Sequence, residues 1–115
     1  MAEKDIDWRG SSLDDLKEFP DDAKRDAGHE LGKVQAGLSP TDYKQINSWG
    51  AGVIEIRLTS EDGEYRVVYV AKFEEAVYVL HAFNKKDQKT APKDVNIIKE
   101  RYKAVVAERR SEKDD

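Results

Sequence analysis

The chain has 115 residues, 38% of them hydrophobic and 38% charged, with no cysteine, two histidines and a formal net charge of −4. That length supports one domain around a single compact core, and the missing cysteines exclude disulfides, thiolate nucleophiles and thiolate metal sites together. No apolar run approaches the roughly 20 residues that a membrane helix needs, and the first residues lack the basic-then-apolar pattern of a secretory signal, so a cytoplasmic location without membrane contact is expected.

In chain order, Asp5-Ile6-Asp7-Trp8 alternates and predicts a short edge strand. Ser11 or Ser12 then predicts a helix start, because a serine hydroxyl can accept from a first-turn amide and Asp14 and Asp15 favour the positive helix end. Leu13, Leu16 and Phe19 form the apolar stripe of that helix. Pro20 cannot continue it but suits the start of another, predicted over residues 21–36 with Ala23, Ala27, Leu31 and Val34 on its buried side and Gly37 as its stop. Residues 38–52, with Ser39-Pro40, Lys44, Trp49 and Gly50-Ala51-Gly52, read as a long connection.

Three strands are predicted next, over residues 53–59, 65–72 and 76–83, with turns at Asp62-Gly63 and at 72–75. In the first, Ile54, Ile56 and Leu58 alternate with Val53, Glu55, Arg57 and Thr59, so one face is core and the other carries charge. The other two are apolar on nearly both faces, as strands covered on both sides or facing a pocket would be. Thr90 and Pro92 open a last helix in which Val95, Ile98, Tyr102 and Val105 fall at helical spacing. The expected fold class is α+β: one domain over residues 1–110, with two N-terminal helices, an antiparallel β-sheet and a C-terminal helix, followed by a charged, frayed tail at 111–115.

Charge is polarised along the chain. Residues 1–30 hold 5 basic and 10 acidic side chains, whereas residues 84–110 hold 9 basic and 4 acidic. A polyanionic partner therefore fits the basic end although the net charge is negative; a charged helix with a solvated face would read the same way.

The residues best suited to chemistry follow the third strand. His81 can move a proton near neutral pH, and Lys85, Lys86 and Lys89 close behind it can hold an anion. Arg57 and Arg66 lie on adjacent strands, and their planar forks suit phosphate oxygens in a transition state, while lysines chiefly attract and position a charged chain. Plainer roles exist for each. His81 could be a packed strand histidine with one satisfied nitrogen, Arg57 could pair with Glu55 or Glu64, and a loop lysine run is often only solvated. Trp8, Trp49, Tyr43, Tyr65 and Tyr102 could stack on bases or belong to the core. His29 lies among acids and reads as incidental; with two histidines and no paired spacing, no metal site is expected.

Taken in order, Trp8 with Gly10-Ser11-Ser12, Leu16 with Phe19-Pro20, Leu31 with Gln35 and Gly37, Pro40 with Lys44, Gly50-Ala51-Gly52-Val53 with Glu55-Ile56-Arg57, Tyr65-Arg66-Val67 with Tyr69, and Val79-Leu80-His81-Ala82-Phe83 with Lys85-Lys86 and Lys89-Thr90 cover nearly the whole chain. In this order and spacing the chain resembles the RelE/HigB toxin family of the RelE/ParE superfamily, in its phage-derived HigB-like branch. The resemblance implies a RelE-like fold and the toxin of a type II toxin–antitoxin module. The toxin would be a metal-independent mRNA endonuclease, without any small-molecule cofactor, acting in the ribosomal A site and silenced by a cognate helix-turn-helix antitoxin.

On that reading Arg57, Arg66, His81 and Lys85 form the catalytic set, and Lys44, Lys86, Lys89 and Tyr65 bind RNA. Relatives with the same fold include toxins that inhibit DNA gyrase by binding, so a non-catalytic toxin and an inactive antitoxin-binding homologue stay open as alternatives.

Overall fold

Three successive apolar segments, the first alternating and the other two apolar on nearly both faces, build the centre of a five-stranded sheet. The computed structural model describes residues 3–114 and runs β1 (Asp5–Trp8), α1 (Ser12–Lys17), α2 (Asp21–Gln35), β2 (Tyr43–Gln45), a 3₁₀ turn (Asn47–Trp49), β3 (Val53–Ser60), β4 (Gly63–Val70), β5 (Ala76–Lys85) and α3 (Pro92–Asp114). The strand order is β1-β5-β4-β3-β2. From β2 to β5 the pairing is antiparallel, as expected for a run of hairpins, and β1 joins the far edge in parallel to β5. That parallel edge follows from connectivity, because the chain leaves β1 through two helices and returns only after crossing the whole sheet.

Both faces of the sheet are covered, which accounts for the two strands that are apolar throughout. α1 and α2 lie on one face, where Leu16, Phe19, Ala23, Ala27, Leu31 and Val34 pack against Ile56, Leu58, Val67, Tyr69, Val77 and Val79. α3 lies on the other, where Ile98 and Val105 meet Val53, Val68, Val70, Tyr78, Leu80 and Phe83. Burying an aliphatic side chain of this kind contributes about 1.5–3 kcal/mol, so the twofold cover is the main source of cohesion. Among the described residues no helix is long and apolar enough to cross a membrane.

α2 ends as its sequence dictates. Gly37 takes φ 85°, and the amides of Gly37 and Leu38 donate to the carbonyls of Val34 and Lys33 at 3.0 and 2.9 Å, closing a Schellman turn. The start of α1 differs from expectation. Ser11 makes no side-chain cap; its hydroxyl donates to Asp15 Oδ2 at 2.7 Å instead.

Four other expectations are corrected. The connection over 38–52 contains β2, a strand with no apolar alternation because all three of its residues are exposed at the sheet edge. Lys44 is therefore on a strand and not in a loop. Glu55, expected on the open charged face of β3, is buried at 2% exposure. β5 runs two residues further than predicted, to Lys85, and α3 continues through most of the expected tail to Asp114, its Glu, Lys and Arg residues being good helix formers. Asp115, the last residue of that tail, is outside the described residues.

One irregularity fixes the site. Tyr69 pairs with Val79 and Val68 pairs with His81, so Leu80 is an extra residue bulged out of β5. Its carbonyl accepts from Arg101 Nη1 of α3 at 2.8 Å. Strict alternation after Leu80 would turn His81 toward α1 and α2; the bulge turns it toward α3.

Candidate active site

Direct cross-strand neighbours share a face of a sheet. Lys44 pairs with Glu55, Glu55 with Val68, Arg57 with Arg66, Arg66 with Phe83, Val68 with His81 and Glu64 with Lys85. Four strands thus place Lys44, Arg57, Arg66, His81 and Lys85 on one face, the face that α3 covers. Of the eight expected site residues only Tyr65 faces the other way. Its ring packs 4.8 Å from Phe19 in the α1–α2 core, where it cannot offer a face to a base on the α3 side.

At the centre of this face is a carboxylate between two guanidinium groups. Arg57 Nε and Arg66 Nε are each 3.9 Å from Glu55 Oε1. Arg66 is itself buried at 7% exposure; its Nη1 donates to the Tyr65 carbonyl at 3.0 Å and to Glu64 Oε1 at 3.3 Å. Arg57 is the open member, with a side chain 40% exposed. Glu55 Oε2 and Arg66 Nε are both buried without a hydrogen-bond partner. Buried ionic groups are normally hydrogen-bonded throughout, and these two atoms have no hydrogen-bonding protein partner.

His81 is a buried histidine. Its Nε2 lies 2.7 Å from Asp94 Oδ1, its ring stacks on Phe83 at 5.0 Å, and Nδ1 is buried without a partner. With Nε2–H as the donor to the carboxylate, Nδ1 is left as the acceptor nitrogen. Asp94 is in the first turn of α3, where the helix dipole favours a negative charge. The pair ties the end of β5 to the start of α3. Sequence reasoning does not single out Asp94, although an acid just inside the helix opened by Thr90 and Pro92 is a signal that could have found it.

Three adjoining clefts open along this face, with Lys85 on the wall of each. One, of about 320 Å³, gathers Lys44, Arg57, Lys85 and Lys89 around Glu55, with Trp49 beside them. The second, of about 390 Å³, holds Glu64, Arg66, Lys85 and Lys86. A third, of about 380 Å³, adds Lys93 and Asp94. Seven cations, Lys44, Arg57, Arg66, Lys85, Lys86, Lys89 and Lys93, thus face four acids, Glu55, Glu64, Asp87 and Asp94, in a chain whose net charge is −4. His81 borders a fourth cleft of about 440 Å³ between α1 and α3, with Asp15, Glu18 and Lys93 on its walls, which meets the third at Phe83, Asn84, Lys93 and Asp94. Among the described residues no three His, Asp or Glu side chains are grouped as a metal ion would require.

Chemically, the first two clefts can bind an extended polyanion. Two arginine forks and several ammonium groups would face successive charges, and an arginine inside a partly dry site stabilises developing negative charge better than one in water.

Comparison with known proteins gives a family and a fold. Residues 14–103 match the family described as Phage derived protein Gp49-like (DUF891). Among solved structures, a double arginine-to-alanine mutant of the E. coli toxin RelE in its free state superposes with a TM-score of 0.58 at 18% sequence identity, covering 91% of this chain and 99% of that one. At that identity the likeness speaks for the fold, which is RelE-like. No curated protein matches the chain.

Proposed function

The chain belongs to the phage-derived Gp49-like family, and from that membership and its RelE-like fold we propose that it is the toxin of a toxin–antitoxin module and acts by cutting mRNA, on the ribosome in the cytoplasm. The single observation that carries this reading is the gathering of seven cations in three adjoining clefts of an acidic protein.

RNA supplies its own nucleophile. The 2′-hydroxyl loses its proton and its oxygen attacks the adjacent phosphorus; the bond from phosphorus to the 5′-oxygen breaks, and that oxygen takes up a proton. The products are a 2′,3′-cyclic phosphate and a 5′-hydroxyl, so neither a metal nor a cofactor is needed for atoms to balance. The protein must align the 2′-oxygen and neutralise the crowded phosphorane. Arg66, held by the Tyr65 carbonyl and Glu64, and Arg57 beside it supply forks for the phosphorane oxygens. Lys85 stands where the clefts meet, and Lys44, Lys86 and Lys89 hold neighbouring phosphates. His81, closed in by Phe83 and Asp94, acts first as a positioning residue that sets the β5–α3 junction from which the lysines project; proton transfer through it requires Nδ1 to open to substrate. A helix-turn-helix antitoxin would silence the protein by covering the basic clefts or by blocking ribosome entry.

The test is cleavage of translated mRNA on purified ribosomes in the presence of EDTA, with product ends analysed, alongside growth arrest on expression and its relief by the product of the adjacent gene. Cyclic phosphate ends and relief of arrest are expected. Growth arrest with uncut mRNA would overturn the nuclease assignment in favour of a toxin that acts by binding alone.

A further inference from the structure

The cleft of about 320 Å³ between the 3₁₀ turn, β3 and the β5–α3 loop is the one of the three that sets an indole and aliphatic side chains opposite its cations. Ile46, Trp49 and Val95 form the apolar wall, and Lys44, Arg57 and Lys89 belong to the cationic one. We infer that this cleft is a subsite for one nucleotide of a single-stranded RNA next to the scissile phosphate, with the base laid on the indole of Trp49 and the phosphate of that nucleotide held by Lys44 and Lys89. The inference deepens the RNA-cleaving reading above and rests on it.

Size and chemistry point the same way. Small-molecule clefts begin at about 300 Å³, so this one admits a single nucleotide. Aromatic rings placed beside cations are the usual means of holding single-stranded nucleic acid, because every base has a face to stack and every linkage a charge to pair. Trp49 is half-buried: it borders the core of Val53, Ile98 and Val105 and also lines the cleft, so it is anchored on one side and available on the other.

The platform is also rigid. Gly50, at φ 152°, lies so close to Tyr102 that a Cβ there would come within 2.7 Å of the ring, and the Tyr102 hydroxyl donates to the Ala51 carbonyl at 2.9 Å. Asn47 Oδ1 accepts from the Gly52 amide and from Gln45 Nε2, each at 3.1 Å, which fixes the turn to β2. A pre-ordered indole loses little conformational freedom when a base lands on it. Gln88 and Thr90 on the rim offer both donors and acceptors, so the subsite reads the presence of a base more than its identity.

The experiment uses the full chain carrying Trp8→Phe, which leaves Trp49 as the single tryptophan of the two in the sequence. The probes are a 2′-O-methyl trinucleotide, which cannot cyclise, and the same trinucleotide with an abasic central position, both carrying a terminal fluorescein whose anisotropy measures affinity in every variant while Trp49 emission reports stacking. Trp49 emission should be quenched by the first probe and unmoved by the second, which should bind roughly 5- to 150-fold more weakly, the range for one stacked base. Trp49→Ala should weaken the first probe by a similar factor and leave the abasic probe unchanged, while Trp49→Phe keeps most of the affinity and circular dichroism shows each variant folded. Equal binding of the two probes, or a Trp49→Ala loss shared by both, overturns the subsite and leaves the RNA reading standing. Ribosomal cleavage that proceeds undiminished in Trp49→Ala while neither probe binds overturns the subsite alone. Absence of both probe binding and ribosomal cleavage overturns the subsite together with the reading beneath it.

Discussion

The two ends of α3 are held to the sheet by the same kinds of side chain and differ in how completely those side chains are paired. Near its C-terminal end Arg109 Nε donates to Glu75 Oε2 at 2.6 Å, and its guanidinium lies 3.9 Å from the centre of the Phe73 ring. Tyr78 donates to the same carboxylate oxygen at 2.6 Å, and Arg9 of the β1–α1 connection pairs with Glu108. Hydrogen bonds from Arg109 and Tyr78 hold the Glu75 carboxyl down at about 2, while burial and the Glu75 charge push the Tyr78 hydroxyl up to about 12. Near the N-terminal end Asp94 accounts for one nitrogen of His81, and Glu55 Oε2, Arg66 Nε and His81 Nδ1 are buried without partners. A helix that needed only to be docked would be finished at both ends in the first manner. The unfinished end is also the end where the cations gather, and it is there that we place the RNA site.

The comparison breaks most visibly at Arg66. Arg66→Ala should slow mRNA cleavage about 10²- to 10³-fold, the usual effect of losing one preorganised electrostatic donor. Arg66→Lys should recover only part of that, because an ammonium lacks the fork. Single-turnover cleavage on ribosomes, with circular dichroism to confirm folding, measures both; an unchanged rate in Arg66→Ala would remove the functional end of the contrast.

Stability gives the next largest difference. Asp94→Ala leaves both ring nitrogens of His81 buried and unpartnered, and should destabilise the fold by about 1–3 kcal/mol. Glu108→Ala removes an exposed pair and should change stability by no more than about 1 kcal/mol. Urea unfolding of the two variants ranks the ends directly. Equal losses would mean that the pairing at the two ends is equivalent.

Salt dependence sharpens the role of the lysines. Lys85→Ala together with Lys86→Ala should flatten the slope of log affinity against log salt by about 1.4, at roughly 0.7 per lost contact to a single strand, and should affect the chemical step less than Arg66→Ala does. A slope unchanged from the parent would place these lysines outside the contact.

The smallest expected effect is at low pH and at the structural end. Because the folded Glu75 carboxyl is held at about 2, below its ordinary 4.5, its contribution is complete above about 4.5 and is lost as the pH falls from there toward 2. Arg109→Ala should therefore reduce stability at neutral pH slightly and make the acid limb of urea midpoint against pH shallower in that window. An acid limb superimposable on that of the parent would show that the pair contributes nothing to stability.

Much of this architecture is legible in the amino-acid pattern alone. The stripe Ala23, Ala27, Leu31 and Val34 places α2 and its buried side, Gly37 places its end, and the doubly apolar strands announce a sheet covered on both faces. The site is legible in part. Lys44, Arg57, Arg66, Lys85, Lys86 and Lys89 converge on adjoining clefts, whereas Tyr65 faces the other core and His81 is enclosed. Tyr65 and Arg66 are neighbours on a strand, so both could not face the same cleft; alternation contains that answer once the face of Arg66 is known.

The sequence by itself determined the kinds of element, their order and their buried faces, because those follow from local periodicity and from turn chemistry within a few residues. Only the tertiary structure decided which functional groups meet. The face of His81 depends on a one-residue bulge at Leu80 that Arg101 of α3, 21 residues away, holds by its carbonyl. Glu55 is buried beside the guanidinium groups of Arg57 on its own strand and Arg66 on the next, and the strand around Lys44 exists only because β3 offers an edge to pair with. Each of these involves a hydrogen-bond register or a contact between separate segments, and side-chain parity along a strand is reset whenever such a register shifts by one residue.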